Sequence, residues 1–266
     1  MEVHQFGSSG SSVPVIGQGT WQIASNDLVV RTLQRGIDLG MTHIDTAELY
    51  PGAEEVVGKA IRGRRDEVFV VSKVLPKNAS RRGTIAACER TLKKLGTDYL
   101  DCFLLHWAEE PSQIREAMVA LRELVWAGKI RAAGVSNLSV AELEIAVEAL
   151  DDVALSCNQV VYNLFDRAIE DEVIPWCSAN GVAVVGYSPF AGMSDASPAQ
   201  RAVLARVGAV HGRTERQVTL RYLTRTSDLF AIPKASSLPH VEENADSTEF
   251  ELTEADVAEI EAAFPR

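Results

Sequence analysis

The chain has no long apolar run, no close pair of cysteines and no surplus of positive charge, and each absence removes a class of function. No apolar stretch approaches the roughly 20 residues that a membrane-spanning helix needs. The opening Met1–Pro14 is polar and rich in Gly and Ser, without the basic flank and apolar core of a secretory signal, so the expectation is a cytoplasmic protein. A net charge of −11, from 37 acidic and 26 basic residues, argues against nucleic acid as partner, because phosphate backbones are held by clustered Lys and Arg. The same acidity repels an anionic dinucleotide at long range, so such a ligand requires a local basic or backbone-amide site. The four cysteines, Cys88, Cys102, Cys157 and Cys177, lie dispersed in apolar stretches and read as buried, reduced thiols.

What is present is a regular alternation. A composition of 46% apolar and 24% charged residues over 266 positions describes a globular chain of the size of one α/β barrel, read as a single domain over residues 1–266. After Val3–Val15, whose Gly7-Ser-Ser-Gly10 suggests a hairpin turn, short apolar runs mark strands at 17–21, 42–45, 68–71, 100–105, 132–135, 157–160, 182–185 and 229–232. Between them the sequence predicts helices over 27–39, 82–95, 112–126, 140–150, 170–179, 198–210 and 254–264. In the second of these, Ile85, Cys88, Leu92 and Leu95 share one face. Strands apolar on both faces demand a parallel sheet covered by helices, and eight βα units close into a (β/α)8 barrel. The competing architecture, an open doubly wound sheet, lacks its G-x-G-x-x-G after an early strand.

In such barrels chemistry gathers where strands end and βα loops begin. The second strand ends in Asp45 with Tyr50 on the loop after it, the third in Lys73, and the fourth in His106. Each has an ordinary structural reading: Asp45 as a cap, Tyr50 before Pro51-Gly52 as a turn anchor, Lys73 as a solvated group, His106 beside Trp107 as a core histidine. Jointly they make a proton donor. The Lys73 ammonium is expected to lower the Tyr50 phenol from its ordinary value near 10, Asp45 to keep that ammonium charged, and His106 to orient a substrate oxygen as a neutral imidazole.

Across nearly its whole length the chain resembles the aldo-keto reductases. The matching stretches include Gly17-Gln-Gly-Thr-Trp21, His43-Ile-Asp-Thr-Ala-Glu-Leu-Tyr50, Val71-Ser-Lys73, Leu95-Gly-Thr-Asp-Tyr-Leu-Asp101, Gly134-Val-Ser-Asn137, Asn158-Gln-Val-Val-Tyr-Asn163, Gly186-Tyr-Ser-Pro-Phe190 and Ile232-Pro-Lys-Ala-Ser236. The resemblance implies a catalytic tetrad of Asp45, Tyr50, Lys73 and His106, with Tyr50 as general acid, and reduction of aldehydes and ketones by hydride from NADPH. It places Ser136, Asn137 and Gln159 on the nicotinamide carboxamide and Tyr187 under the nicotinamide ring. Ser188, Pro189 and Phe190 would line the pyrophosphate, and Lys234, Ala235, Ser236 and Ser237 the adenosine 2′-phosphate. Glu243 and Asn244 match the adenine contacts.

Two departures stand out. His240 occupies a position where many members place an arginine against the 2′-phosphate, which leaves use of NADH open. The chain ends at Arg266, soon after its last helix, so the long C-terminal loop of many relatives is expected to be missing and the pocket open on that side. Trp21, Leu49 and Trp107 are the candidate substrate walls, suited to small 2-oxoaldehydes, aromatic aldehydes or keto esters. Two other readings stay open: a dinucleotide-binding, redox-sensing module with little catalysis, and a metal-dependent barrel hydrolase using His43, Asp45, Lys73 and His106. The expectation is a monomer without a metal, with His43 filling the barrel, His211 in a helix and His240 in a loop.

Overall fold

The computed structural model describes residues 1–266. Strands β1 (Val3–Gln5) and β2 (Ser12–Pro14) pair antiparallel, with Val3 opposite Pro14, and form the expected hairpin around a short 3-10 turn at Gly7–Ser9. Eight further strands follow: β3 (Gln18–Gly19), β4 (His43–Asp45), β5 (Phe69–Val74), β6 (Leu100–Leu105), β7 (Ile130–Ser136), β8 (Leu155–Val161), β9 (Ala183–Tyr187) and β10 (Leu229–Ala231). Each pairs in parallel with the next in sequence. The ring closes where Gly17 N donates to Ala231 O at 2.8 Å and Ala231 N to Val15 O at 2.8 Å, beside a parallel bridge between Ile16 and Ala231. The sheet is therefore a closed (β/α)8 barrel, not an open doubly wound sheet.

Helices α1 (Asp27–Asp38), α2 (Ala53–Ala60), α3 (Arg81–Leu95), α4 (Pro111–Trp126), α5 (Val140–Leu150), α6 (Val173–Ala179), α7 (Pro198–His211), α8 (Glu215–Leu223), α9 (Leu238–Ala245) and α10 (Glu254–Ala263) cover it. Their starts are chemically marked. Asn26, Ser80, Ser197, Thr214 and Thr253 each accept a hydrogen bond from an amide of the first turn, satisfying donors that have no partner within the helix. Three sequence expectations need correction. Helices α2 and α8 were not anticipated, and the helix expected from Glu170 begins at Val173, because 168–170 form a 3-10 turn in which Glu170 accepts from Tyr162 and Arg225. His240 lies in the first turn of α9 and not in a loop.

The core has two layers, and strand alternation assigns residues to them. Ile44, Val70, Phe103, Leu105 and Val184 face the helices, while Phe69, Val71, Cys102, Leu104, Cys157, Ala183 and Val185 fill the barrel. The hairpin closes the floor. Phe6, fully buried, packs its ring against Phe69 at 4.8 Å, Phe230 at 5.2 Å and His43 at 5.6 Å between centroids. His43 fills the barrel as expected, and Gly17 makes room for it: a Cβ there would come within 2.9 Å of the imidazole. Burial drops the His43 imidazole to about 3, so it is neutral. All four cysteines are buried and unpaired. No helix is long and apolar enough to cross a membrane.

Candidate active site

The alternation that fills the barrel also delivers the site. On β5 the inward residues run Phe69, Val71, Lys73; on β6 and just past it, Cys102, Leu104, His106; on β8, Cys157, Gln159; on β9, Ala183, Val185, Tyr187. Asp45 follows His43 on the inner face of β4 in the same way. The topmost inward position of successive strands is thus polar, and these residues form the last layer of barrel filling, beneath a cleft of about 780 Å³.

Lys73 is fully buried, with Nζ donating to Asp45 Oδ1 at 2.6 Å and to the Thr46 carbonyl at 2.9 Å. The other Asp45 oxygen accepts from Gln159 Nε2 at 2.8 Å, so the ion pair is satisfied on both sides and does not leave a bare buried charge. The ammonium sits 5.3 Å from the centroid of the Tyr50 ring. Tyr50 in turn packs edge-on against Trp21 at 4.9 Å and His106 at 5.9 Å. All four expected members of the tetrad are brought together.

Their electrostatics differ from expectation at one point. The Tyr50 phenol lies above its ordinary value, raised first by burial and then by the Asp45 carboxylate and Tyr187. The expected lowering by Lys73 does not prevail, because burial first and the Asp45 carboxylate second both oppose ionisation of the phenol. His106 is neutral, held at about 3 by burial and by the Lys73 charge. Its Nδ1 is buried without a partner. A lone pair left unpaired costs less than an N–H left unpaired, which favours the tautomer with its proton on Nε2.

Around this floor the expected cofactor residues divide into two groups. Asn137, Gln159, Tyr187, Ser188, Pro189, Phe190 and Lys234 line the cleft, as do Trp21, Leu49 and Trp107. Ser136 is buried just beneath, donating to the Gln159 carbonyl at 2.7 Å. Asn137 donates to the His106 carbonyl at 3.1 Å and accepts from the Tyr187 hydroxyl at 2.9 Å, which fixes the tyrosine ring. Ala235, Ser236, Ser237 and His240 lie at the start of α9 and Glu243 in its second turn, none of them among the cleft lining. Asn244 is fully buried with neither amide atom partnered.

The lining also includes residues not anticipated. Thr20 ties its hydroxyl to the Asp45 carbonyl at 2.8 Å, and Gln22 has a left-handed φ of 55°. Asn137 and Ser188 share that conformation, at φ 60° and 54°. Three of the four left-handed non-glycine residues thus border the cleft, as strained backbone does at functional sites. For Thr20 the signal was available in its place between Gly19 and Trp21. For the backbone of Gln22 there was none.

No three or more His, Cys, Asp or Glu side chains are grouped so as to hold a metal ion. The proposed ligand set is split, since His43 sits on the barrel floor against Phe6 while Asp45 is committed to Lys73 and Gln159.

Comparison with known proteins agrees with this geometry. The sequence profile of the aldo/keto reductase family matches residues 15–264. Methylglyoxal reductase YeaE of Escherichia coli is 40% identical over 97% of this chain and 93% of its own length. The glyoxal reductase of Bacillus subtilis is 32% identical over 96% of this chain and 90% of its own. An aldo/keto reductase of Klebsiella pneumoniae, crystallised with NADP and acetate, superposes with a TM-score of 0.89 at 37% identity, covering 100% of this chain and 96% of that one. By profile, sequence identity and fold together, this chain belongs to the aldo/keto reductase family.

Proposed function

We propose that the chain is a cytoplasmic, monomeric NADPH-dependent reductase of small carbonyl compounds, 2-oxoaldehydes foremost and also aromatic aldehydes and keto esters, acting as one domain over residues 1–266. The observation that carries this reading is the buried Lys73–Asp45–Gln159 chain beneath Tyr50 and a neutral His106 at the floor of a cleft.

The residues present fit a dinucleotide. The backbone amides of Ser188 and Phe190, and those of Lys234 through Leu238, donate to no protein acceptor, so two rim segments hold spare donors for phosphate oxygens. Tyr187 offers a ring whose hydroxyl is tied to Asn137. Gln159 keeps its carbonyl oxygen for a carboxamide once its nitrogen is given to Asp45. Ser136, Asn137 and Gln159 would hold that carboxamide, Ser188 to Phe190 the pyrophosphate, and Lys234 to Ser237, His240, Glu243 and Asn244 the adenosine end. NADPH, when bound, supplies the hydride.

Tyr50 and the His106 N–H converge on the substrate oxygen. An oxygen gaining an electron pair becomes far more basic than a phenolate, so a phenol kept protonated by burial still gives up its proton at that moment. Lys73 then faces the new phenolate, and its ammonium stabilises a charge that exists only late in the reaction. Trp21, Leu49 and Trp107 exclude water from one side. The names of the methylglyoxal and glyoxal reductases support small 2-oxoaldehydes as the substrate class.

The test is loss of nicotinamide absorbance on mixing the protein with NADPH and methylglyoxal. Wild type is expected to oxidise NADPH and Tyr50→Phe to fail. Tight NADPH binding with no oxidation by any small carbonyl would favour a binding module instead.

A further inference from the structure

Arg216, in the first turn of α8, stands behind one wall of the cleft. Its guanidinium carbon lies 3.6 Å from the centroid of the Phe190 ring, and Phe190 lines the cleft. On the other side Glu243 of α9 brings Oε2 to 3.3 Å from Nε. That is close enough for an ion pair but off the direction of the N–H, which is buried without a hydrogen-bond acceptor. Glu243 is itself fixed, accepting from Thr214 Oγ1 at 2.7 Å and, through its carbonyl, from Gln217 at 3.0 Å. A planar cation is thus held between Phe190, in the loop after β9 with its unpaired amides, and Glu243 in the second turn of α9, and its two terminal amino groups donate to no protein acceptor.

We propose that Arg216 selects a dinucleotide carrying a 2′-phosphate over one carrying a 2′-hydroxyl. This rests on the proposed use of NADPH and names the residue that makes the preference. A phosphate monoester carries a charge of about −1.5 to −2 near neutrality. On a chain of net charge −11, and beside Glu243, Lys234 alone does not balance it. Neighbouring cations are less suited. Arg213 donates to the carbonyls of Asp246 and Glu249. His240 is 57% exposed, shares the Glu243 carboxylate at 3.4 Å, and lacks the planar fork of a guanidinium. Arg216 combines charge and planarity with two terminal amino groups that have no protein acceptor, and a hydroxyl in place of the phosphate draws little from it.

Equilibrium titration of NADP+ and NAD+, read by quenching of tryptophan fluorescence, tests this on wild type, Arg216→Gln and Arg216→Lys. Arg216→Gln is expected to weaken NADP+ binding about 10- to 100-fold, the range of a lost charge-assisted contact, with NAD+ changed by less than about threefold. Arg216→Lys, keeping charge without the fork, should fall between. Equal weakening of both dinucleotides would show that Arg216 only props the Phe190 loop, and no change in either would show that it is idle; both overturn the proposal. Wild type that binds neither dinucleotide overturns the proposed function itself, a result distinct from those two.

Discussion

Gln159 on β8 reaches across the barrel mouth to Asp45 on β4, its side-chain amide 2.8 Å from Oδ2. With Lys73 on Oδ1, the carboxylate is fixed at both oxygens and the ion pair beneath Tyr50 has one geometry. One residue therefore links the proposed nicotinamide site to the proposed proton donor. Gln159→Ala is expected to lower kcat about tenfold and also raise the KM for NADPH, because a single change loosens both. Steady-state kinetics with each substrate varied would check this, and an unchanged kcat would show the bond to be idle.

Tyr50→Phe keeps the ring that packs on Trp21 and His106 but removes the proton. Carbonyl reduction should fall by about 10²- to 10⁴-fold, the usual worth of a positioned acid, with the Kd for NADPH nearly unchanged. Lys73→Met should come close to the same loss. Single-turnover rates and cofactor titration on the same preparations separate the two effects.

The two buried imidazoles both stay neutral through mild acid, and each gives a separate prediction. His106, at about 3, stays neutral over roughly pH 5 to 8, so kcat/KM should show no limb near the ordinary histidine value in that range. His43 acts through stability. Its folded value, about 3, lies below the ordinary 6.5, so as pH falls the unfolded chain takes up the proton first. The contribution is intact above about pH 6.5 and is lost as pH falls toward about 3, at up to about 1.4 kcal/mol per pH unit. Urea unfolding of wild type and His43→Leu across that window should show a shallower acid slope in the variant. Equal slopes would assign the acid sensitivity elsewhere.

At the opposite end from the cleft, Asp101 is buried between Arg65 at 2.7 Å and Arg131 at 3.0 Å, and it accepts the Val70 amide at 2.8 Å. The two guanidinium groups sandwich Tyr99, at 3.8 and 4.0 Å from its ring centroid. Asp101→Asn should cost about 2–4 kcal/mol of stability by leaving half-buried Arg65 without its counter-charge, while activity per folded molecule is retained. Thermal unfolding set against active-site titration distinguishes this from a catalytic role.

Strand ends were legible because the same period of two that fills the barrel also places Asp45, Lys73 and His106 on its inner rim. The spans 100–105 and 140–150 coincide with β6 and α5. Helix α2 was hidden by Pro51-Gly52, a turn signal, and by Gly58 inside it. There a Cβ would lie 2.6 Å from the Leu95 carbonyl, so packing requires the residue that propensity counts against a helix. Helix α8 is buried without a break from Gln217 to Leu223 and so shows no amphipathic face, although Thr214 and Gln217 form a capping box. The hydrogen-bond web of the site was not legible, since Gln159 and Asp45 are 114 residues apart and Tyr187 and Asn137 are 50 apart. The direction of the phenol shift failed for a related reason: proximity of Lys73 was foreseen, but the depth of burial and the competing carboxylate depend on how the chain closes.

The hairpin at the barrel floor has a consequence for how the molecule comes into being. Phe6 rests against Phe230, and the amide of Ala231 completes the ring by donating to Val15. The hairpin is therefore not fully seated until β10, the last strand of the barrel, has been made. Through most of synthesis the buried ring of Phe6 and two unpaired strand edges stay open, the state in which a nascent chain is most exposed to aggregation.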